Sequence, residues 1–331
     1  MDRNTTIVSS APGKVVLWGE YAVLDGSPAA VAAIDRYAKS RLIIKSENHD
    51  AGWAIQSTGV TNLNLVETIE ELSTNPLYQD HIISHILLEL AKVIDWSMLE
   101  QNLFVQLDTT DFEENQKKLG IGSSAAICVS TYAAFCKLAD IKPSLATALS
   151  IHQNLQNNTG SGLDISAAWY GGILKFQSGL SEPFKLLESG DWRFFYSGRP
   201  SKTQSQLVKF RSWLETSPAE PLSNLKSASS RLFECQSGSE IVKYMPAYAD
   251  ALRELDRRGN LGIYSSEHDI MHKLASETKV AYKPCGAGGG DLGAAISDDP
   301  EAMQRFSIKA RAHGFTEMKF NISEHGVHVI G

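Results

Sequence analysis

No segment of this 331-residue chain reaches the roughly 20 consecutive apolar residues that a membrane-spanning helix requires. Nor is there a basic surplus. Against 31 Lys and Arg stand 38 Asp and Glu, a formal net charge of −7, which argues against a nucleic-acid partner. An anionic small molecule stays possible, because a local cluster of Lys and Arg can hold phosphate on an acidic protein. Cysteine is scarce: Cys128, Cys136, Cys235 and Cys285 form no CxxC pair. They read as reduced thiols, not as a disulfide framework or a zinc site. Solenoid repeats and low-complexity tracts are missing too. Met1 to Thr6 run straight into a strand-like pattern with no apolar signal core, and a cytoplasmic enzyme is the expectation. With 43% hydrophobic residues, the chain can fill one large core or two ordinary ones.

The local patterns mix both element types. Short β segments open the chain at Thr6 to Ser9, Val15 to Trp18 and Tyr37 to Lys45, broken by turn chemistry at Pro12-Gly13 and Asp25-Gly26. Gly52 to Gln56 is a further strand candidate. Ile82, Ile83, Ile86, Leu87, Leu90 and Val93 recur at helical spacing, and Leu103, Val105 and Leu107 alternate with polar residues in a predicted strand ending at Asp108. A helix is predicted from Ser123 to about Leu138, with Ile127, Thr131, Ala134, Phe135 and Leu138 on one face. Pro143 opens another, running to about Leu155. Strands follow at Ile173 to Phe176 and Phe194 to Tyr196. The chain then turns mainly helical until Ala281 to Ile296, with last strands at Glu317 to Phe320 and Val327 to Ile330. This mixture, without a strict βαβ rhythm, predicts an α+β protein in two parts, divided near residues 180 to 200.

The chemistry concentrates in Lys118-Leu119-Gly120-Ile121-Gly122-Ser123-Ser124. Two glycines allow close backbone approach, and two serines open a predicted helix whose unpaired amides and partial positive charge suit a di- or triphosphate. A serine hydroxyl there can also ligate the Mg2+ that travels with ATP. The segment lacks both the GK[ST] ending of a P-loop and the GxGxxG of a dinucleotide fold.

Three motifs in order resemble those of the GHMP kinases, the superfamily of galactokinase, homoserine kinase, mevalonate kinase and phosphomevalonate kinase. They are Ser10-Ala11-Pro12-Gly13-Lys14 with its continuation to Leu24, the glycine-serine loop, and Lys283-Pro284-Cys285-Gly286-Ala287-Gly288-Gly289-Gly290-Asp291. The resemblance implies an N-terminal domain like ribosomal protein S5 domain 2, residues 1–185, and a ferredoxin-like C-terminal domain, residues 186–331. It implies ATP and Mg2+ as cofactors, with Lys118, Gly120, Ile121, Gly122, Ser123, Ser124 and Ala125 at the nucleotide and Ser123 or Ser124 on the metal. Asp164 would orient or deprotonate the attacking oxygen, and Lys14 would neutralise developing phosphoryl charge. Glu20, Tyr21, Ser161, Gly162, Gly286, Ala287, Gly288, Gly289, Gly290 and Asp291 would shape the substrate and phosphate loops.

Within that superfamily the residues lean toward the phosphomevalonate kinases. The second motif is similar to K-x-G-L-G-S-S, and His152 to Asp164 is similar to H-x-x-x-Q-x-x-x-G-S-G-x-D. Asp291 fits G-A-G-G-G-D. Mevalonate kinases place a Mg2+-binding glutamate eleven residues before the aspartate, and here Gln153 stands there. An amide is a poor substitute for a carboxylate on a hard cation. A phosphorylated acceptor needs cations: Arg36, Lys39, Lys118 and Lys202 are candidates, and Ser197 to Thr203 resembles the family's serine/threonine-rich segment. His268 and His272 stand four apart on a predicted helix with no third metal ligand in view. Mevalonate kinase or another GHMP small-molecule kinase remains as the alternative, with a non-catalytic ATP- or sugar-binding sensor of the same fold and mevalonate diphosphate decarboxylase as remoter ones. The expected partner is a small-molecule acceptor taken by a monomer or homodimer, with no nucleic acid and no membrane.

Overall fold

A computed structural model gives the structure of the protein, described here for residues 6–44, 53–59, 63–67, 82–93, 103–156, 160–185, 190–201, 203–216 and 220–331. Two sheets organise it. The first begins with β1 (Thr6–Trp18) and β2 (Ala29–Ile44), a long antiparallel pair, and continues through β3 (Trp53–Thr58), β4 (Leu63–Glu67) and β5 (Leu103–Asp108). Its strand order is β14-β1-β2-β5-β3-β4, with β8 (Ile173–Gln177) also on β2, β9 (Leu180–Pro183) on β8, and β14 (His328–Ile330) returning from the far end of the chain. β3 and β5 run parallel; the other pairs of this sheet are antiparallel. A two-residue hairpin, β6 (Glu113–Glu114) with β7 (Lys117–Lys118), occupies the loop expected from Thr109 to Lys118.

The pieces expected on either side of Pro12-Gly13 are one strand. The proline is absorbed by a register shift against β2 between Pro12 and Gly13, because a bulge tolerates a residue that cannot donate to the ladder. Helix α1 (Ile82–Leu90) buries Ile83, Ile86, Leu87 and Leu90 as its period predicts. It ends before Val93, which is 68% exposed.

Helix α2 spans Ser123–Leu138, the predicted range, but it is buried on more than one face: Ala125, Ala126, Cys128, Val129, Tyr132, Ala133 and Cys136 are covered as well. Lying across β1 and β2 while packed by its neighbours, it has no solvent face to impose a period. Helix α3 (Leu145–Leu155) starts two residues after Pro143, with Ser144 at its N-cap position. Helix α4 (Leu163–Tyr170) carries Asp164 in a stretch where the sequence shows no helical period; eight residues, five of them buried, are too few to display one.

The second sheet is antiparallel, in the order β11-β12-β10-β13, from β10 (Asp191–Tyr196), β11 (Ala281–Pro284), β12 (Leu292–Ser297) and β13 (Thr316–Met318). Between β10 and β11 run α5 (Thr203–Thr216), α6 (Glu220–Phe233), α7 (Gly238–Gly259) and α8 (Ser266–Thr278), and α9 (Pro300–Ala312) follows β12. Mixed helix and sheet in this arrangement is the α+β class read from the sequence. All four cysteines are buried and free, and no helix among the described residues is long and apolar enough to cross a membrane.

Candidate active site

Lys14 sits where β1 passes the glycine-serine loop. Its backbone N–H donates to the Ile121 carbonyl at 2.8 Å, stitching strand to loop. Gly122 takes a left-handed conformation (φ 85°) at the N-cap of α2, and a Cβ there would press on the Lys14 side chain at 3.1 Å. Glycine meets both demands at once. Ser123, Ser124 and Ala125 then form the first turn of α2, where backbone amides lack an intrahelical partner.

The loop from Gly286 to Gly290 joins β11 to β12 and ends on Asp291. The Asp291 carboxylate meets the partners seen for it outside its own loop. It accepts from the Ser201 amide at 3.0 Å and the Ser201 hydroxyl at 2.9 Å, and it lies so close to Gly120 that any Cβ there would collide with it. The Asp291 N–H donates to the Arg199 carbonyl at 2.6 Å, and its carbonyl accepts from the Ser197 N–H at 2.8 Å. Burial raises the Asp291 pKa, opposed by the Ser201 bonds and the nearby Lys118 and Lys14 charges. One aspartate thus joins the third motif, residues 197–201 and the second motif. From behind, His268 Nε2–H donates to the Gly290 carbonyl at 2.8 Å, which leaves Nδ1 to accept from the Tyr282 hydroxyl at 2.7 Å. Burial depresses the His268 pKa to about 4.

Glu20 and Lys283 form an ion pair with both side chains 1% exposed. Lys283 Nζ also donates to the Val16 carbonyl at 3.2 Å and the Pro284 carbonyl at 3.1 Å. The Tyr248 hydroxyl donates to Glu20 Oε2 at 2.5 Å while accepting from the Gly19 and Glu20 amides. Burial works against the ammonium, and neighbouring Cys285 and Glu20 outweigh it, so the Lys283 pKa lies above the ordinary lysine value. The Tyr21 hydroxyl donates to the Ala287 carbonyl at 2.6 Å. These contacts fasten the first motif to the third.

Asp164 stands in the first turn of α4, behind the left-handed N-cap Gly162 (φ 85°). It lines a cleft with Lys14, Glu20, Tyr21, Ser161, Gly286 and Ala287, whose remaining wall is largely apolar: Val16, Val23, Leu24, Leu163 and Leu207. A cation and a carboxylate therefore face one space, closed on one side by the glycine loop of the second sheet.

Residues 100–172 match the family described as GHMP kinases N terminal domain. The chain carries the GHMP kinase N-terminal domain. Over nearly its whole length it is 25% identical to the mevalonate kinase of Pyrococcus furiosus (346 residues, 98% of this chain and 98% of that one). It is 24% identical to the phosphomevalonate kinase of Streptomyces sp. (368 residues, 92% and 94%). Among solved structures, the Lin0012 protein of Listeria innocua superposes with a TM-score of 0.81 at 19% identity, covering 98% of this chain and 99% of that one. The Streptococcus pneumoniae phosphomevalonate kinase in complex with phosphomevalonate and AMPPNP gives 0.75 at 17% identity, covering 95% and 99%. The fold is that of the GHMP kinases.

The sequence-predicted site residues fall into two groups. Lys14, Glu20, Tyr21, Ser161, Asp164, Gly286 and Ala287 line the cleft. Lys118, Gly120 to Ala125, Gly162 and Gly288 to Asp291 are not among its lining: Gly122 abuts the lining residue Lys14, Gly162 caps the helix that carries Asp164, and Asp291 lies against Gly120. The acceptor-phosphate candidates scatter. Arg36 is held by the Asp35 and Lys319 carbonyls and stacks 5.3 Å from the Phe320 ring centroid. Lys39 is exposed on β2, away from the cleft lining. Lys118 lies near Asp291, and Lys202 is outside the described residues. His268 is taken up by Gly290 and Tyr282, while the His272 ring meets that of Tyr264. The pairing of Glu20 with Lys283, Tyr248 and the cleft residue Leu207 escaped the sequence reading. Only Lys283 left a signal there, a lone cation inside an apolar strand, which demands a buried partner.

Proposed function

We propose that this protein catalyses ATP-dependent phosphorylation of a small isoprenoid-pathway acid, (R)-5-phosphomevalonate plus ATP giving 5-diphosphomevalonate plus ADP. The observation that carries the reading is the shared cleft of Lys14 and Asp164, flanked by the α2 N-terminus on one side and the Gly286–Gly290 loop on the other. An acceptor oxygen attacks the γ-phosphorus, the bond from that phosphorus to the β,γ-bridging oxygen breaks, and ADP leaves with the electron pair. Such a transfer asks the protein for positioning and charge stabilisation more than covalent chemistry. Lys14 supplies positive charge where the phosphoryl oxygens gather, and Asp164 orients the acceptor oxygen. A phosphate oxygen is already anionic near neutral pH, so no strong base is required.

The α2 N-terminus fits the Mg2+ that accompanies ATP. Mg2+ takes hard oxygen donors, keeps several waters and leans on substrate phosphates, so the Ser123 or Ser124 hydroxyl suffices as a protein ligand without a carboxylate cage. When bound, the metal neutralises β- and γ-phosphate charge.

Mevalonate is the second reading. Lys14 is the one cation among the described cleft-lining residues, a thin complement for an acceptor that already carries phosphate. ADP release measured over phosphomevalonate, mevalonate, homoserine and galactose tests both. The highest kcat/KM is expected with phosphomevalonate; turnover confined to an unphosphorylated acceptor would replace that assignment while keeping the reaction type.

A further inference from the structure

Two residues of the His152 to Asp164 segment have no part in the reaction as drawn above, although the structure puts them between its two halves. His152 on α3 and Gln156 at its C-cap stand four apart, on one side of the helix end. His152 is 2% exposed. Its Nε2 lies 3.2 Å from the Ser124 hydroxyl, in the first turn of α2, and 3.3 Å from the Gln156 side-chain nitrogen. The other end of the Gln156 amide touches the next segment: its Oε1 lies so close to Gly160 that any Cβ there would collide. Gln156 also lines the cleft with Ser161 and Asp164. A continuous contact therefore runs from Ser124, through one buried imidazole and one amide, to the turn that delivers Asp164.

A serine hydroxyl offers one proton and two lone pairs. With its proton directed at His152 Nε2, the Ser124 oxygen keeps lone pairs for a cation accompanying the nucleotide. Without that partner the hydroxyl rotates among its staggered wells, and the lone-pair direction is lost.

We propose that His152 is a positioning residue of this kinase: it fixes the Ser124 hydroxyl at the nucleotide end and, through Gln156, sets the Gly160–Gly162 turn at the acceptor end. The proposal rests on the phosphotransferase reading of the site. Partners that orient a metal-binding group typically matter by roughly 10- to 100-fold in affinity or activity.

The test uses the full chain with four changes: His152→Phe, His152→Gln, Ser124→Ala, and the double variant His152→Phe with Ser124→Ala. AMPPNP affinity is measured calorimetrically with and without Mg2+, beside kcat and the thermal midpoint. His152→Phe is expected to lower the Mg2+-dependent part of the AMPPNP affinity and kcat by roughly 10- to 100-fold. His152→Gln, whose amide oxygen can accept the same bond, should recover most of both. The double variant should fall no further than Ser124→Ala, since coupled residues do not add. Losses that multiply, or a lowered thermal midpoint with unchanged Mg2+-dependent affinity, would overturn the proposal and leave His152 a packing residue. A wild-type protein that binds AMPPNP but phosphorylates none of the acceptors would sink the acceptor assignment alone, because the affinity cycle still decides the role of His152. Failure of the wild type to bind AMPPNP would sink both.

Discussion

At the scale of single residues, the most exacting position is Lys283. Its ammonium and the Glu20 carboxylate are both 1% exposed and answer each other. Removing one partner of a buried pair leaves the other charge uncompensated, at a typical cost of about 3–5 kcal/mol. Lys283→Met is therefore expected to lower stability by about that amount in urea denaturation, and combining it with Glu20→Gln should recover part of the loss, because the stranded charge is gone. No recovery would mean that the bonds of Lys283 to the Val16 and Pro284 carbonyls, not the pair, carry the effect. Asp164 makes the opposite kind of demand. Its Oδ1 bonds only the adjacent Ile165 amide, at 3.0 Å, among the bonds seen, and it faces the cleft. Asp164→Asn should fold normally, keep AMPPNP affinity within a few-fold and lose most of kcat; near-normal turnover would remove it from the mechanism.

At the scale of elements, the glycine loops depend on what supports them from behind. Helix α8 presents His268 to the Gly290 carbonyl, and the buried imidazole is held neutral, with a pKa near 4 against an ordinary value of 6.5. The sign follows from linkage. The unfolded chain takes up a proton near pH 6.5 and the folded one only near pH 4, so this group's contribution is fully present above pH 6.5 and is lost as pH falls toward 4. The window of about 2.5 units corresponds to about 3 kcal/mol. Urea midpoints of the wild type should drop across pH 6.5 to 4, and His268→Asn should show a shallower drop; equal slopes would remove His268 from the acid response. A second prediction concerns the loop before α2. Gly120 has φ 72° with the Asp291 carboxylate against it, so Gly120→Ala should push Asp291 off Ser201 and weaken AMPPNP binding more than it lowers the thermal midpoint. The reverse ranking would mean that Asp291 braces the fold and not the loop.

What the sequence made legible follows from the same physics. Helices and strands with one wet face declared themselves by period, as α1 and β5 do. The sequence shows one apolar face on helix α2, yet the helix is buried on more than one, because an enclosed helix carries no polar stripe. Helix α4 was missed because eight mostly buried residues carry no period, and Pro12 looked like a break because a bulge is set by the partner strand, not by the proline. The glycine motifs were readable since phosphate contact constrains backbone locally. The Glu20–Lys283 pair and the His152–Ser124 contact were not, being separated by 263 and 28 residues and defined only once two elements meet.

At the scale of the whole molecule, the decisive fact is how the two sheets are joined. The Glu20–Lys283 pair links the end of β1 to β11, Tyr248 of α7 bonds Glu20, and the Tyr21 hydroxyl holds the Ala287 carbonyl. Asp291 rests on Gly120, and Asn321, beyond β13, bonds the Asp35 carboxylate of β2. All but the Asn321 contact involve the glycine motifs or the cleft lining, so the site and the joint between sheets are largely one piece of structure. Unfolding should then be a single cooperative transition, with tryptophan fluorescence (Trp18 and Trp53 in the first sheet, Trp192 in the second) and far-ultraviolet dichroism coincident. A ligand gripping both sides should stabilise both sheets together: AMPPNP alone at about 100 times Kd should add about 2.7 kcal/mol to the whole transition. In Lys283→Met, which cuts the central tie, the two probes should separate, and saturating ligand should bring them together again. Two transitions already resolved in the unliganded wild type would show that the sheets fold independently and that the buried pair does not couple them.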